Sequence, residues 1–211
     1  MSKGDGVLDL GAQELVCGSA PDYINRFVTE LGGQPFAEDH LRRIADGGYA
    51  GEVLMRAGLR YASIDYKEFP FTIRLDLNRD GLPPEHHGRY RLVTNHGTSE
   101  HILNQWNVFQ TMHDAAVEGA LLFHCVPFCG MFEHGIVNYN AKFWWALSEA
   151  NAYRIVKMWT WSDGEPTPVP ESFVSQIDDI ASLRASSATI SVLFQKTRNQ
   201  PFAGLIDPAF R

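Results

Sequence analysis

The stretch Val-Leu-Asp-Leu-Gly-Ala-Gln, residues 7–13, decides the fold. Its apolar run predicts a buried strand, and the glycine that closes the run predicts a sharp turn. The segment that follows, from Ser19 to Leu59, carries the apolar spacing of helices instead, broken by pairs of glycines. Further strand-like runs come after it, over residues 61–65, 71–75 and 90–95.

Strands and helices alternate through most of the chain. Amphipathic patterns predict helices over residues 102–118 and 140–150, with a strongly apolar strand over residues 120–127 between them. This order favours an α/β fold with a doubly wound, mostly parallel sheet and helices on both faces. Runs at 153–161 and 189–195 favour an antiparallel edge pair, and the proline-rich residues 163–170 predict an exposed loop.

Length and composition limit the class of protein. The chain has 211 residues of ordinary composition, which predicts one domain over residues 1–211. The net charge is −7, so we expect no nucleic acid among the partners. No apolar run has the length of a membrane span, so we expect no membrane partner. Three cysteines are too few for a disulfide framework, and residues 1–6 do not resemble a signal peptide, which predicts a cytoplasmic protein.

Three aspartates, Asp9, Asp65 and Asp76, end or follow three successive predicted strands. In a parallel sheet, ligands bind at the carboxyl ends of the strands. A carboxylate after the second strand can accept both hydroxyls of a ribose, and one after the third can accept from the amine of adenine. The set therefore predicts an adenosine pocket. The alternative is that each aspartate is a helix cap or a turn residue.

The chain resembles the class I S-adenosylmethionine-dependent methyltransferases. Four motifs carry the resemblance in register, namely residues 7–13 as the first glycine motif, 61–65 as the acidic strand end, Arg74-Leu-Asp-Leu-Asn78 as the adenine motif, and residues 90–101, which end in a Glu-His pair. Residues 121–197 also show the family's order of strand, helix, strand, strand. The resemblance implies a Rossmann-like, seven-stranded sheet whose last strand is inserted antiparallel, and it implies methyl transfer from S-adenosylmethionine.

The resemblance also assigns roles to residues of this chain. It implies that the methionine end of the cofactor is lined by Asp9, Gly11, Ala12 and Gln13. It implies that Asp65 holds the ribose and that Asp76 and Leu77 contact the adenine. Asn95, with His96 after it, is implied to lie beside the sulfonium that carries the methyl group.

The chain departs from the family at the first motif. Only Gly11 is present in a loop that usually carries two or three glycines, which predicts either weaker cofactor binding or a differently shaped loop in which Gln13 or Glu14 takes part. Asp65 follows Asp9 by 56 positions, whereas a simple βαβ unit places its acidic residue about 20 positions after the glycines. The extra residues predict a helical insertion over residues 19–48, which we interpret as a lid; a passive insertion is the alternative. The G-x-G-x-x-G pattern of nicotinamide enzymes is absent.

Three histidines are the candidates for a catalytic base. His96 and His101 flank the loop after the fourth strand, and His134 follows the fifth. A histidine can take a proton from an acceptor hydroxyl near neutral pH. Alternatively, Thr98 or Ser99 caps the next helix and His101 packs in its first turn. The expected acceptor is a small molecule, such as a hydroxyl of a sugar or secondary metabolite; a non-catalytic, cofactor-binding regulatory domain is the alternative function.

Spacing predicts no metal site. No Cys-x2-Cys pair occurs, and His96 and His101 are five positions apart rather than four. Cys125 and Cys129 are expected to be a buried strand thiol and a loop thiol. A cluster of aromatic residues is expected to form core, with an acceptor wall or the contact of a homodimer as the alternative; it comprises Phe132, Tyr139, Phe143, Trp144 and Trp145.

Overall fold

The computed structural model describes residues 1–16, 21–131, 133–162, 165–169, 187–205 and 207. Contacts divide the chain into two compact units, residues 1–76 and 77–211. The large sheet has eight strands rather than the seven that the resemblance implied, because residues 165–168 add a strand at its edge; three of its strands belong to the first unit and five to the second. The α/β class predicted from the alternation of strands and helices is confirmed.

The first unit is built around three parallel strands. Its elements in chain order are β1 (Gly6–Leu10), β2 (Glu14–Val16), α1 (Asp22–Glu30), α2 (Glu38–Ala45), β3 (Asp46–Tyr49), α3 (Ala50–Arg56), β4 (Arg60–Asp65) and β5 (Thr72–Arg74). Strand β4 lies between β1 and β5 and is parallel to both. Every residue of β1 is buried, which explains why large apolar side chains, those of Val7, Leu8 and Leu10, occur on both of its faces rather than at alternate positions.

The second unit ends in an antiparallel arrangement. Its elements are β6 (Tyr90–His96), α4 (Gln105–Ala115), β7 (Ala116–Cys129), α5 (Ala141–Ala150), β8 (Tyr153–Ser162), β9 (Glu165–Pro168) and β10 (Ala188–Lys196). Strands β6 and β7 are parallel. Strand β10 comes last in the chain but lies between β7 and β8, antiparallel to both, as the resemblance implied.

The predicted insertion is helical and has its own core. Helices α1 and α2 pack with α3 around eight buried side chains, which are Ile24, Val28, Phe36, Leu41, Ile44, Ala45, Val53 and Ala57. Sequence reasoning missed the two-stranded antiparallel sheet of β2 and β3, which pairs the strand before α1 with the strand after α2. The reason is that three- and four-residue strands are too short to show a period.

Gly33 sits where α1 meets α3, and this close contact gives a testable expectation. A Cβ at Gly33 would lie 2.3 Å from the carbonyl oxygen of Arg56 and 2.9 Å from the Cα of Ala57. Both are backbone atoms, so we expect Gly33→Ala to lower the free energy of unfolding by about 1–3 kcal/mol. Urea denaturation measures this, with Gly81→Ala as control, because a Cβ there meets nothing within 4 Å. Equal stability of the two variants would contradict the close packing.

Two boundaries differ from the sequence prediction. Residues 165–168, predicted as part of a loop, form β9 against β8. Pro166 and Pro168 are compatible with this because β9 is an edge strand, where a missing N–H costs no sheet bond.

The predicted helix over residues 102–118 is shorter than expected. It begins at Gln105 after Asn104, whose side chain accepts a hydrogen bond from the Asn107 N–H, so neither Thr98 nor Ser99 is its cap. It ends at Ala115, where the buried Lys196 ammonium donates to the carbonyls of His113 and Ala116. The Lys196 side chain thus provides hydrogen-bond donors for carbonyl groups at the carboxyl end of this helix.

Candidate active site

The turn after β1 is joined to the end of β4 in the first unit. The Gly11 N–H donates to the Ile64 carbonyl at 2.8 Å, with Gly11 at φ +79°, a conformation that favours glycine. The Ala12 N–H donates to Oδ2 of Asp65 at 3.2 Å, and Oδ1 of Asp65 accepts from the Lys67 N–H at 3.0 Å. The structure therefore brings together the first loop and the acidic strand end, as expected from parallel strands.

Gln13 closes the loop that lacks further glycines. Its Nε2 lies 3.3 Å from the Leu10 carbonyl oxygen and 3.5 Å from that of Gly11. The side-chain amide thus folds back on the turn. The loop is held by Gln13 and Asp65 rather than by a glycine-rich backbone.

Asp9 is buried behind this turn. One of its carboxylate oxygens accepts a hydrogen bond from the Tyr61 hydroxyl at 2.9 Å. Burial and then the neighbouring Asp9 carboxylate raise the pKa of Tyr61, so this hydroxyl stays protonated and keeps donating. The hydrogen bond from Tyr61 therefore fixes the position of the Asp9 carboxylate.

Asp76 and Leu77 follow β5. The Leu75 N–H donates to the Asp65 carbonyl at 2.9 Å, which places the chain entering Asp76 at the same strand end as Asp65. Leu77 begins the second unit, is buried, and its carbonyl oxygen accepts from Nδ2 of Asn107 at 2.8 Å.

Asn95 lies in a buried hydrogen-bond network of the second unit. Its Nδ2 donates to Oγ of Ser99 at 2.7 Å and its Oδ1 accepts from the Ser99 N–H at 3.0 Å. The Tyr139 hydroxyl donates to Oε1 of Gln105 at 2.5 Å and lies 2.8 Å from Oγ of Ser99, whose own proton can be donated to it. These bonds fix the one-turn 3-10 helix Ser99–His101. Sequence reasoning singled out Asn95 and considered Ser99 only as a helix cap, and it missed Gln105, because the partner of Gln105 is Tyr139, 34 positions away.

His124 completes this network as a neutral ring. Nδ1 of His124 lies 3.3 Å from Nδ2 of Asn95, and since an amide nitrogen only donates, Nδ1 accepts and Nε2 carries the proton. Complete burial lowers the pKa of His124 to about 3. The imidazole lies 4.7 Å from the Trp144 ring, between centroids.

The three candidate base histidines fall into two places. His96 is exposed at the end of β6, with its ring centroid 6.0 Å from that of Phe123. His101 and His134 lie together instead, 5.3 Å apart between ring centroids. Oε1 of Glu100 lies 3.4 Å from Nε2 of His134. Sequence reasoning noted the Glu-His pair but assigned no role to Glu100, because its partner is 34 positions away.

Two members of the aromatic cluster, Tyr139 and Trp144, are core as expected, whereas Phe143 and Trp145 are half-buried. Tyr139 and Trp144 are buried and pack with Phe143 against Phe109 of α4. Phe132 lies outside the described residues.

The structure is similar to methyltransferase structures. A proposed S-adenosylmethionine-dependent methyltransferase from Listeria monocytogenes matches 93% of this chain and 91% of its own, with a TM-score of 0.51 and 12% identity. A proposed methyltransferase from Bacillus halodurans matches 94% of this chain and 95% of its own, with a TM-score of 0.48 and 11% identity. No family model and no curated protein matches the sequence.

These observations define the fold class of the protein. The chain has the α/β fold of the class I S-adenosylmethionine-dependent methyltransferases, including the antiparallel last strand. None of the helices that the structure describes has the length and apolarity needed to cross a membrane.

Proposed function

We propose that this chain is an S-adenosylmethionine-dependent methyltransferase that acts on a small-molecule acceptor, such as a hydroxyl of a sugar or secondary metabolite. The observation that carries the proposal is the Gly11–Ala12 turn bonded to the Asp65 carboxylate at the ends of neighbouring parallel strands. In this fold, that edge of the sheet is where ligands bind.

The residues present fit the cofactor. Asp65 accepts one hydrogen bond at each oxygen, which leaves lone pairs for the hydroxyls of a ribose. Asp76 would accept from the adenine amine and Leu77 would pack against the ring. Asp9, Gly11, Ala12 and Gln13 would line the methionine end. When bound, the cofactor supplies a methyl group made electrophilic by the positive sulfur.

His96 is our proposed base. It is exposed at the end of β6, whereas His101 and His134 are gathered around a buried carboxylate. Its imidazole would accept the proton of the acceptor hydroxyl as the oxygen bonds to the methyl carbon. Asn95 was expected beside the sulfonium. Its two hydrogen bonds to Ser99 would instead give it a positioning role, because they fix the 99–101 turn that follows His96.

The insertion over residues 19–48 would serve as the lid. Tyr23 and Phe27 of α1 are large apolar side chains that remain exposed, although α1 buries Ile24 and Val28. Exposed aromatic rings on a helix that is anchored by two buried side chains are suited to covering a ligand.

A non-catalytic, cofactor-binding regulatory domain is the second candidate function. It is favoured by the state of the first loop, where the N–H groups of Gly11 and Ala12 already donate within the protein. A loop with its donors occupied has fewer to offer a ligand. Binding without turnover on any acceptor would support this candidate.

Binding of S-adenosylhomocysteine tests the cofactor site. We expect calorimetry to show binding to the purified chain and Asp65→Ala to weaken it by about 100-fold, since hydrogen bonds to a charged group contribute about 1.5–3 kcal/mol each. Glu68→Ala is the matched control, an exposed carboxylate three positions further on. Absence of binding at millimolar ligand would contradict the proposed function, and equal binding by Asp65→Ala would contradict the ribose assignment.

A further inference from the structure

Glu100, His101 and His134 have the composition of a metal site. Each offers one ligand atom, and these atoms all lie within 4.8 Å of one another. Two imidazole nitrogens with one carboxylate oxygen form a donor set that binds Zn²⁺ in proteins. Spacing along the sequence predicts no such site because His134 comes from a different segment.

Of these three residues, Glu100 has a side chain whose charge is not compensated by the hydrogen bonds of the described residues. Its side chain is completely buried, and neither carboxylate oxygen has a hydrogen-bond partner among the described residues. A buried carboxylate is strongly unfavourable unless a cation or several donors compensate its charge. The nearby ring nitrogen is Nε2 of His134, at 3.4 Å from Oε1, which is an ion-pair distance only when the imidazole is protonated. A divalent cation between the two side chains would satisfy both.

The separation of these two atoms fits tetrahedral coordination. Bonds of about 2.1 Å to a tetrahedral Zn²⁺ place neighbouring ligand atoms about 3.4 Å apart. His134 Nε2 and Glu100 Oε1 already have this separation. His101 is exposed, so its ring can approach by rotation of its own side chain.

The two segments that carry the ligands are held together by the backbone. The Ile136 and Val137 N–H groups both donate to the Glu100 carbonyl, at 2.8 and 3.1 Å. A Cβ at Gly135 would lie 2.8 Å from Cγ of Glu100, so glycine lets the segment of His134 pack directly on Glu100. The Asn95–Ser99 bonds fix the other side. Such support is what a preorganised ligand set requires.

We propose that Glu100, His101 and His134 bind a divalent cation of the Zn²⁺ type. Three protein ligands leave a fourth position for water or another oxygen ligand, the arrangement of zinc sites that remain open. This inference does not rest on the proposed function. The competing interpretation is that Glu100 only orients the His134 ring.

Metal titration tests the proposal. The full chain is freed of metal by dialysis against a chelator and titrated with Zn²⁺ in competition with a chromophoric chelator. We expect one equivalent to bind, Co²⁺ to give the visible absorption of a tetrahedral site, and Mg²⁺ not to compete, since it prefers oxygen ligands. His101→Ala should weaken Zn²⁺ binding by about 100-fold. Changes to residues that merely orient a metal ligand already cost about 10–100-fold in affinity, so loss of a ligand should cost at least the upper value.

Two variants and one independent readout complete the test. His40→Ala is the matched control, because His40 and Glu52 form another histidine–carboxylate pair at 3.5 Å, and no second histidine joins them in a possible ligand group among the described residues. This variant should bind Zn²⁺ like the wild type. Glu100→Gln keeps the shape of the side chain and should abolish binding, with circular dichroism to show that it folds. No stoichiometric Zn²⁺ binding, or unchanged binding by His101→Ala, would overturn the proposal. S-Adenosylhomocysteine binding, measured on the same samples, reports separately on the cofactor site.

Discussion

Acidification from pH 7 to pH 5 is expected to lower the free energy of unfolding by about 2 kcal/mol through His124 alone. Burial lowers the pKa of His124 to about 3 in the folded protein, against about 6.5 in an unfolded chain. Between these values the unfolded chain binds a proton that the folded chain does not. The free energy of unfolding therefore falls by about 1.4 kcal/mol for each pH unit below about 6.5.

The structure shows why this proton is disfavoured. Nδ1 of His124 faces an amide donor of Asn95, and aromatic rings surround the imidazole, including those of Phe109, Trp144 and Phe194. Protonation would set a new N–H against that donor and break the bonds that position the 99–101 turn. Loss of order in this turn is expected to accompany the loss of stability.

Urea denaturation at several pH values measures the effect. Other groups also titrate, among them His113, whose pKa burial lowers, so the comparison is with His124→Asn. This variant lacks a titrating ring and should show a shallower pH dependence than the wild type, with His40→Asn, at a half-buried position, as the control for removal of a histidine. Equal slopes for His124→Asn and the wild type between pH 7 and 5 would contradict a neutral, buried His124.

His96→Ala is expected to lower kcat by about 10²–10⁴-fold if His96 is the base. The imidazole at the end of β6 is the proposed acceptor of the hydroxyl proton, and methyl transfer to an un-ionised hydroxyl is slow. Binding of S-adenosylhomocysteine should be unchanged, because the proposed cofactor contacts belong to other residues.

The assay follows transfer of a labelled methyl group from S-adenosylmethionine to a panel of hydroxylated sugars and phenols. His86→Ala is the control, since His86 lies in the loop before β6 and pairs with the Tyr90 hydroxyl. Full turnover by His96→Ala would reject His96 as the base. Full turnover by His101→Ala and His134→Ala as well would reject all three histidines that the sequence suggested.

Much of the fold could be predicted because its signals are local. The run at residues 7–10 is largely apolar because β1 is buried on both faces, and β7 and β10 contain similarly strong apolar runs. Strands β2, β3 and β9 were missed because each has only three or four residues and, unlike the equally short β5, none lies within a longer apolar run of the sequence. A strand of that length takes its conformation from its partner rather than from its own side chains.

The candidate site was predictable in one part only. Asp9, Gly11 and Asp65 stand next to strands whose ends must meet in a parallel sheet, so position in the sequence implies position in space. Glu100 could not be interpreted in this way. Its burial and its approach to His134 depend on the Ile136 and Val137 bonds to its carbonyl, which link segments that no periodicity relates.

The sequence by itself determined the strand and helix order and the strand-end aspartates, because hydrophobic period and chain order act over a few residues at a time. Only the tertiary structure decided where α4 ends, how the loop of Gly11 closes, and which polar side chains meet around Ser99 and Glu100. Lys196 reaches His113 from 83 positions away, and Tyr139 reaches Ser99 from 40. Such bonds form because buried polar groups must find partners, and those partners are chosen by packing in three dimensions.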